Sequence, residues 1–296
     1  MADLVSRLND NNKNVRKWGT MAMLVADYGT PVPDKLWNDD GTPADFGDEF
    51  KMMGYVTTDG FKNSQSVDTS DTNMLQDIEP VRSDITSKTR TLQCVFGEMN
   101  AWVKALAHNI PVAQWPENKD GDWEYSDGEI SDNPYYVIVL LGQDGIGDNA
   151  VYRVEIAYRS KVTDYGDRTS NRTDAEGEDR TFTCFRDPAT GKSYYEATKA
   201  KKSVTSVTVT APNGGTAPTN VETGKTISLG AQATWSDEHT SMTEADAWTS
   251  KDKGIATVDA KGVVTGVAAG TARINATING ITSPDLSITV SAPAGA

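Results

Sequence analysis

The stretch IATVDAKGVVTGVAAGTARI, residues 255–274, decides the fold of the C-terminal third of this 296-residue chain. Runs of β-branched and small residues at 255–259, 263–266 and 268–274 are separated by turn signals, of which Lys261-Gly262 is the clearest. The pattern predicts short antiparallel strands joined by tight turns.

The same pattern continues on both sides of this stretch, over residues 203–296. Further runs lie at 204–209, 224–229, 247–250 and 286–290. About seven short strands in so short a domain are typical of an immunoglobulin-like β-sandwich. Trp248 is expected to fill the space between the two sheets, because a large aromatic side chain suits that position.

Three segments of this region resemble a known family. Residues 222–229 (ETGKTISL), 248–252 (WTSKD) and 255–270 closely resemble the bacterial immunoglobulin-like domain, group 2, in residues and in spacing. The acidic stretch 237–246 departs from the family pattern and is predicted to be a loop. The resemblance implies a non-catalytic module of a kind found in bacterial adhesins and on phage structural proteins, but it identifies no ligand.

The composition of the chain changes near residue 200. Residues before it are charged and rich in Trp and Tyr, whereas residues after it are rich in Thr, Ala, Val and Gly. We therefore predict two domains, 1–199 and 200–296, joined by a linker at about 196–203.

The N-terminal domain carries several strand patterns. Residues 151–161 alternate between apolar and charged side chains, which predicts an inward face with Val154 and Ile156 and an outward face with Glu155. The unbroken apolar run 135–141 suits a strand that is buried on both faces. Residues 92–96 and 181–185 are also predicted to be strands.

One amphipathic helix is predicted, from Glu98 to about His108. Its apolar side chains recur at helical spacing, with Glu98 in the first turn and Pro111 beyond the end. One helix among many strands predicts a mainly β fold: an N-terminal β-sandwich or barrel with one flanking α-helix, followed by the immunoglobulin-like β-sandwich.

Four long polar segments separate these elements, at 38–49, 57–73, 117–132 and 164–179. Loops of this length without regular structure are uncommon in a compact monomer. They are predicted either to be arms that become ordered against neighbouring copies of the chain, or to be flexible loops.

The formal net charge of −14 restricts the classes of partner. Nucleic-acid phosphates and anionic membranes both repel such a chain, so specific binding to either is not expected. The acidic balance suits a conduit through which DNA slides without adhering. The chain begins without the apolar core of a signal peptide and has no apolar run long enough to span a membrane, so assembly in the cytoplasm is expected.

The residues that could carry chemistry do not form a recognisable motif. His108 is expected to close the helix and His239 lies in the other domain, while Asp120, Asp122 and Glu124 form a solvated acidic loop rather than a calcium site. Residues 144–148 are interpreted as a hairpin turn rather than a phosphate-binding loop. We assign no catalytic, cofactor-binding or metal-binding residue and expect no enzyme activity. Cys94 and Cys184 are predicted to be buried thiols.

Five aromatic residues leave two interpretations open. They could form a sugar-binding platform, or they could be half-buried aromatic residues of strands and interfaces. The second interpretation is the simpler one. The residues are Trp115, Trp123, Tyr125, Tyr135 and Tyr136.

The N-terminal domain resembles the major tail proteins of long-tailed phages with non-contractile tails (siphophages). The resemblance rests on residues 18–31 (WGTMAMLVADYGTP), the GYVTTDG sequence at 54–60, residues 80–84 (PVRSD) and the strand–helix unit at 89–108. It covers roughly residues 15–195 and depends on the order of these features.

The resemblance implies a virion structural protein that forms hexameric rings. Stacked rings would make the tail tube through which DNA passes, and the partners would be further copies of the chain and the tape measure, tail tip and tail terminator proteins. The immunoglobulin-like domain would lie outside, where it could make weak contact with the host surface, and no membrane is involved. The alternative is a carbohydrate-binding or adhesion protein of a virion or cell surface.

Overall fold

The computed structural model describes residues 14–126, 133–168 and 170–293, and the chain divides into two compact units. The first unit comprises the described residues up to Leu36 together with Pro43–Ala200, and the second comprises Trp37–Thr42 and the residues from Lys201 onwards. The described residues contain many strands and one α-helix. The predicted mainly β fold class is confirmed.

The first unit is built on one antiparallel sheet. The strands pair in the order β2-β1-β5-β6-β7-β4-β3, and β8 pairs with β6. One edge of β6 pairs with β8 along residues 151–157 and with β7 along residues 160–165, so two strands share that edge. The elements are β1 (Thr20–Asp27), β2 (Lys51–Met52), β3 (Val56–Thr72), β4 (Arg82–Phe96), α1 (Ala101–Ala107), β5 (Tyr136–Asp144), β6 (Val151–Tyr165), β7 (Glu178–Cys184) and β8 (Tyr194–Ala200).

Strand β5 is the centre of the core. Its residues 136–140 are all buried, which confirms the prediction of a strand covered on both faces. On one face, Ile138 belongs to the same cluster as Met23 of β1, Phe182 of β7 and Leu106 of α1. The helix thus covers this face of the sheet.

Strand β6 departs from the predicted alternation. Glu155, expected on an outward face, is only 3% exposed, and Ala157 is buried as well. The Glu155 carboxylate is accommodated because Arg153 pairs with it at 2.7 Å and the Tyr194 hydroxyl donates a hydrogen bond to it. Both faces of β6 are therefore covered, and the predicted outward face is wrong here.

The helix is shorter than predicted. It begins at Ala101, because the Asn100 side chain accepts hydrogen bonds from the backbone N–H groups of Trp102 (3.0 Å) and Val103 (2.9 Å) and so caps it. Glu98 precedes the cap instead of lying in the first turn. A hydrogen bond from Lys119 lowers the pKa of Glu98. His108 ends the helix as predicted.

A buried charged network lies between α1 and β7. Lys104 is 2% exposed and pairs with Glu178, which also accepts a hydrogen bond from Arg180 at 2.6 Å. Burial alone would raise the pKa of Glu178. The hydrogen bond from Lys104 and the charge of Arg180 outweigh that effect, and the pKa is lowered. The network holds the helix against the sheet through charges that water does not screen.

Several segments predicted as loops or linker are strands. Residues 57–73, predicted as a loop, belong almost entirely to β3. The segment 164–179 is shortened by β6 and β7, which extend into it at either end. Most of the predicted linker 196–203 forms β8. Residues 38–49 and 117–126 form no helix or extended strand, and 127–132 lie outside the described residues.

The second unit contains eleven short strands among its described residues, more than the seven predicted, because four strands form in segments outside the predicted runs, at 220–222, 230–235, 240–242 and 281–282. They form a five-stranded sheet (β10-β19-β17-β14, with β18 beside β17) and two three-stranded sheets (β11-β16-β15 and β13-β12-β9). The strands are β9 (Val204–Thr210), β10 (Asn220–Glu222), β11 (Thr226–Ser228), β12 (Gly230–Trp235), β13 (Thr240–Met242), β14 (Ala247–Ser250), β15 (Ala256–Val258), β16 (Val263–Gly266), β17 (Gly270–Ile278), β18 (Ile281–Thr282) and β19 (Leu286–Ser291).

Two tryptophans organise the core of the second unit. Trp248 packs against both core clusters, the one around Val264 and the one around Ile278, which agrees with its predicted place between sheets. The more deeply buried tryptophan is Trp235, at 4% exposure, which the sequence pattern did not single out. Part of the predicted loop 237–246 is strand β13.

Candidate functional site

The hairpin β3–β4 continues far beyond the sheet to which it belongs. Strand β3 is the last strand of the sheet, and β7 pairs with β4 only from Arg90 to Phe96. Residues 66–89 therefore form a two-stranded extension, called the ribbon below, whose strands pair only with each other. Eight residues separate Arg90 from Arg82; at roughly 3.3 Å per residue, the ribbon extends about 26 Å past its last contact with β7.

The ribbon is exposed on both faces. Every residue from 62 to 89 is exposed, so neither face packs on the rest of the molecule. An isolated two-stranded hairpin is marginally stable in water, since it has no apolar face to bury. An extension of this length thus requires stabilisation from outside its own chain.

The contacts inside the ribbon are polar. Thr86 Oγ1 donates a hydrogen bond to the Asp68 carbonyl at 3.1 Å, and Arg82 forms a two-fold hydrogen bond with the Asp84 carboxylate at 2.6 and 2.8 Å. The hydrogen bond with Asp84 raises the pKa of Arg82. Exposed ion pairs of this kind contribute little to stability, because water and salt screen them.

The end of the ribbon, residues 73–81, is called the tip below and carries apolar side chains in open solvent. Leu75 is 98% exposed and Ile78 is fully exposed, while Met74 and Val81 are about half exposed. Asp77 and Glu79 flank Ile78, and the tip contains no cation. Large apolar side chains at a projecting end, beside carboxylates, indicate a binding surface.

The root of the ribbon is fixed by hydrogen bonds. Arg90 donates to Asn63 Oδ1 and Gln65 Oε1, both at 2.7 Å, and its guanidinium lies 4.2 Å from the centre of the Tyr194 ring. Asn63 Nδ2 in turn donates to Glu155 of β6 at 3.3 Å. Burial, followed by the hydrogen bond with Glu155, raises the pKa of Tyr194. The direction in which the ribbon leaves the sheet is therefore set by β6 and β8.

The residues considered for catalysis and metal binding are not brought together. The His108 ring lies 5.8 Å from Tyr125, whereas His239 stacks on Trp235 in the second unit. Asp120 pairs with Lys119 at 3.1 Å. In the described ranges, no group of three or more His, Cys, Asp or Glu side chains is arranged to hold a metal ion. The predicted turn at 144–148 is confirmed, because a short 3-10 turn (Gly147–Asn149) joins β5 to β6.

The five aromatic residues do not form one platform. Trp115 and Tyr136 are buried in the core. Trp123 stacks on Tyr125 with ring centres 6.0 Å apart, and Tyr135 instead contacts Tyr28 and Phe185. Of these residues, only Trp123 and Tyr125 form a stacked pair that a flat ligand could cover.

The second unit has a groove of about 360 Å³ lined by residues that include Met242, Trp248 and Lys261. It combines an aromatic ring, a thioether and a cation, a lining that could accept a small ligand.

Both cysteines of the first unit are free and buried, as predicted. Burial raises the pKa of both thiols, that of Cys184 to about 11. No helix in the described part of the chain has the length and apolar character needed to cross a bilayer.

Comparison with known proteins identifies the second unit. Residues 203–290 match the bacterial Ig-like domain (group 2), so the predicted C-terminal immunoglobulin-like fold is confirmed. A comparison with curated proteins found no match for the chain. The resemblance of the first unit to tail proteins is not tested by these comparisons and stays a prediction.

Proposed function

We propose that this chain is a virion structural protein that self-assembles into stacked rings, forming the tail tube of a long-tailed phage. The observation that carries the proposal is the ribbon, which is exposed on both faces and ends in the apolar side chains of Leu75 and Ile78. The role of this feature is self-association, because its stability as a β-structure depends on burial that the monomer does not provide.

The edges of the sheet support the same proposal. Strand β3 is terminal along its whole length. Among the described residues, the outer edge of β1 is covered over part of its length, where β2 pairs with Leu24 and Val25 and the Met53 N–H donates to the Met23 carbonyl at 3.0 Å. Unpaired strand edges present free backbone donors and acceptors, which natural proteins protect or pair. In a ring, these edges pair between neighbouring copies and give a continuous inner wall.

The remaining parts of the proposal follow from the sequence resemblance and the charge. A net charge of −14 suits an inner wall that DNA passes without binding. The tube would contact the tape measure, tail tip and tail terminator proteins, and assembly would occur in the host cytoplasm. The immunoglobulin-like domain would be displayed on the outside of the tube, and neither unit would act as an enzyme.

Electron microscopy of the purified full-length protein over a range of concentrations tests this proposal. Hollow tubes or stacked rings are expected. A matched variant replaces residues 67–88 by Asn-Gly, which joins the paired residues Ser66 and Thr89 through a two-residue turn and keeps the root. That variant is expected to remain monomeric. Full-length protein that stays monomeric, even with a pre-formed tail tip present, contradicts the proposal.

Removal of residues 203–296 separates the roles of the two units. The immunoglobulin-like unit has its own core clusters, so the truncated chain is expected to form tubes without lateral knobs. Loss of tubes in this truncation shows instead that assembly depends on the second unit.

A second candidate function is carbohydrate binding or adhesion at a surface. The groove beside Trp248 in the bacterial Ig-like domain is the observation that favours it. A glycan array probed with the full-length chain tests this candidate, with Lys261→Ala, an exposed residue of the groove lining, as the matched variant. Binding that Lys261→Ala weakens supports adhesion, and the absence of any binding contradicts it.

A further inference from the structure

A cluster of cations and aromatic rings lies in the first unit, around the beginning of β5 and the end of β1. The Arg159 guanidinium lies 3.9 Å from the centre of the Tyr135 ring, and Lys161 Nζ lies 4.2 Å from the same ring. Tyr28 and Phe185 contact Tyr135 edge-on. This cation–aromatic cluster comprises Tyr28, Tyr135, Arg159, Lys161, Phe185 and Lys192, the last lying 5.9 Å from the Tyr158 ring.

In the described ranges, the cations of the cluster have no carboxylate paired with them. Among the residues that the structure describes, neither Arg159 nor Lys161 forms an ion pair with a carboxylate, and Arg159 Nε is buried without a hydrogen-bond partner. The nearby carboxylate of Asp187 is already engaged, because it accepts hydrogen bonds from Thr190 Oγ1 at 2.6 Å and the Tyr28 hydroxyl at 2.7 Å. Cations grouped beside aromatic rings and not paired with carboxylates suit an acidic partner.

The cluster also offers an apolar recess. A groove of about 470 Å³ beside it is lined in part by Val32, Leu36 and Val137, together with Tyr28 and Lys192. Asp34 is the other carboxylate on its lining besides Asp187. The surface therefore suits a ligand that combines apolar side chains with negative charge.

We infer that the cation–aromatic cluster binds the ribbon tip of a second copy of this chain. The inference rests on the proposed function and names the surface that receives the ribbon. The tip carries Leu75 and Ile78 for the groove, and Asp77 and Glu79 for Lys161 and Lys192.

The contact must occur between two molecules. Leu75 and Ile78 of the tip pack on no other described residue of their own chain, since both are fully solvent-exposed, and the tip projects about 26 Å past the level at which β4 leaves β7. A tip and a cluster at different places on one chain allow a head-to-tail contact, which generates closed rings or open stacks when two copies do not exchange it reciprocally.

Disulfide cross-linking between two singly substituted chains tests the inference. Leu75→Cys and Lys192→Cys chains are mixed under oxidising conditions; the native thiols are buried and do not compete. A covalent heterodimer is expected from this mixture. The matched control pairs Leu75→Cys with Ile146→Cys, a well-exposed position in the β5–β6 turn outside both surfaces, and is expected to give none.

Charge reversal provides a second measurement. Lys161→Glu with Lys192→Glu is expected to raise the protein concentration needed for assembly on the order of tenfold. Mixing that variant with an Asp77→Lys, Glu79→Lys chain restores the opposite-charge contact and lowers the concentration again. Lys253→Glu in the second unit is the control and leaves assembly unchanged.

The outcomes distinguish the inference from the function on which it rests. Assemblies that form normally, without the covalent heterodimer of the Leu75→Cys and Lys192→Cys chains and without sensitivity to the charge reversals, overturn the inference and leave the proposed function in place. A chain that forms no assembly under any condition overturns the proposed function, and the inference with it. Heterodimers together with restored assembly in the mixture support both.

Discussion

The hairpins β5–β6 and β3–β4 belong to one sheet, yet their exposure is opposite. Residues 136–140 of β5 are buried on both faces, whereas residues 62–89 of β3–β4 are exposed on both. Both are regular antiparallel pairs, apart from isolated irregularities in register. The difference shows that backbone pairing and apolar burial are separate sources of β-structure. The β5–β6 hairpin has both within one chain, whereas the ribbon of the β3–β4 hairpin has only the pairing.

The largest expected difference concerns charge. Lys104→Met removes one of the two buried cations that pair with Glu178 and leaves Arg180 as the other, so the first unit is expected to lose about 3–4 kcal/mol of unfolding free energy. Arg82→Ala removes an ion pair on the exposed ribbon and is expected to have no measurable effect on the monomer. Urea denaturation followed by tryptophan fluorescence measures the unfolding free energy of both variants. Equal losses would contradict the expected difference between the buried and the exposed ion pair.

Two isoleucines, one buried in β5 and one exposed on the ribbon, test how much apolar burial stabilises each hairpin. Ile138→Ala in β5 removes a side chain from the core and is expected to cost roughly 3 kcal/mol. Ile85→Ala on the ribbon removes an exposed side chain and is expected to change the stability of the monomer by less than about 0.5 kcal/mol. A large loss for Ile85→Ala in dilute protein would mean that the ribbon is buried in solution.

The stability of the first unit is expected to depend on pH through the buried carboxylate of Glu178. The folded pKa of Glu178 lies below its ordinary value of 4.5, so its contribution to stability is present above that value and is lost as the pH falls through the folded pKa. Thermal melting of the first unit between about pH 5 and 3 should therefore show a steeper loss in the native chain than in Glu178→Gln. Glu124→Gln, at an exposed position, is the control and retains the native slope.

The smallest expected effect is a proteolytic cut confined to the tip of the ribbon. Chymotrypsin should cut the monomer at the tip, after Leu75, without unfolding the first unit, because that side chain is 98% exposed. The β5–β6 hairpin should stay intact under the same conditions. In assembled protein the tip should be protected, and gel electrophoresis of timed digests compares the two states. Equal cleavage in both states would show that the tip stays free.

The buried hairpin could be predicted from the sequence, whereas the exposed one could not. The apolar run 135–141 marks β5 because burial on two faces requires apolar residues at successive positions. The segment 57–73 becomes β3 although it is rich in Ser, Thr and Asp, since no face of the ribbon packs within the chain and no apolar period is needed. Its extended conformation is set by pairing with β4, whose other half is anchored by Leu92, Cys94 and Phe96.

Local sequence patterns also could not predict how the residues of the candidate site are brought together. Leu75 and Ile78 can be read from the sequence as apolar residues in a polar segment, but their place at the end of a ribbon depends on the β3–β4 register. The cation–aromatic cluster joins Tyr28, Tyr135 and Arg159, which lie far apart in the chain. Such a site requires the topology of the sheet, which local patterns do not specify.

The shared edge of β6 has a consequence for synthesis on the ribosome. Strand β1 must wait for β5, and β6 must wait for both β7 and β8, so the sheet of the first unit is complete only once residues near 200 have left the exit tunnel. Pairings between distant segments form slowly, because the entropy of a long loop is lost before the new contacts contribute any stabilising energy. The immunoglobulin-like unit is translated after the first unit, so the first unit has time to close its sheet while the chain is still tethered to the ribosome.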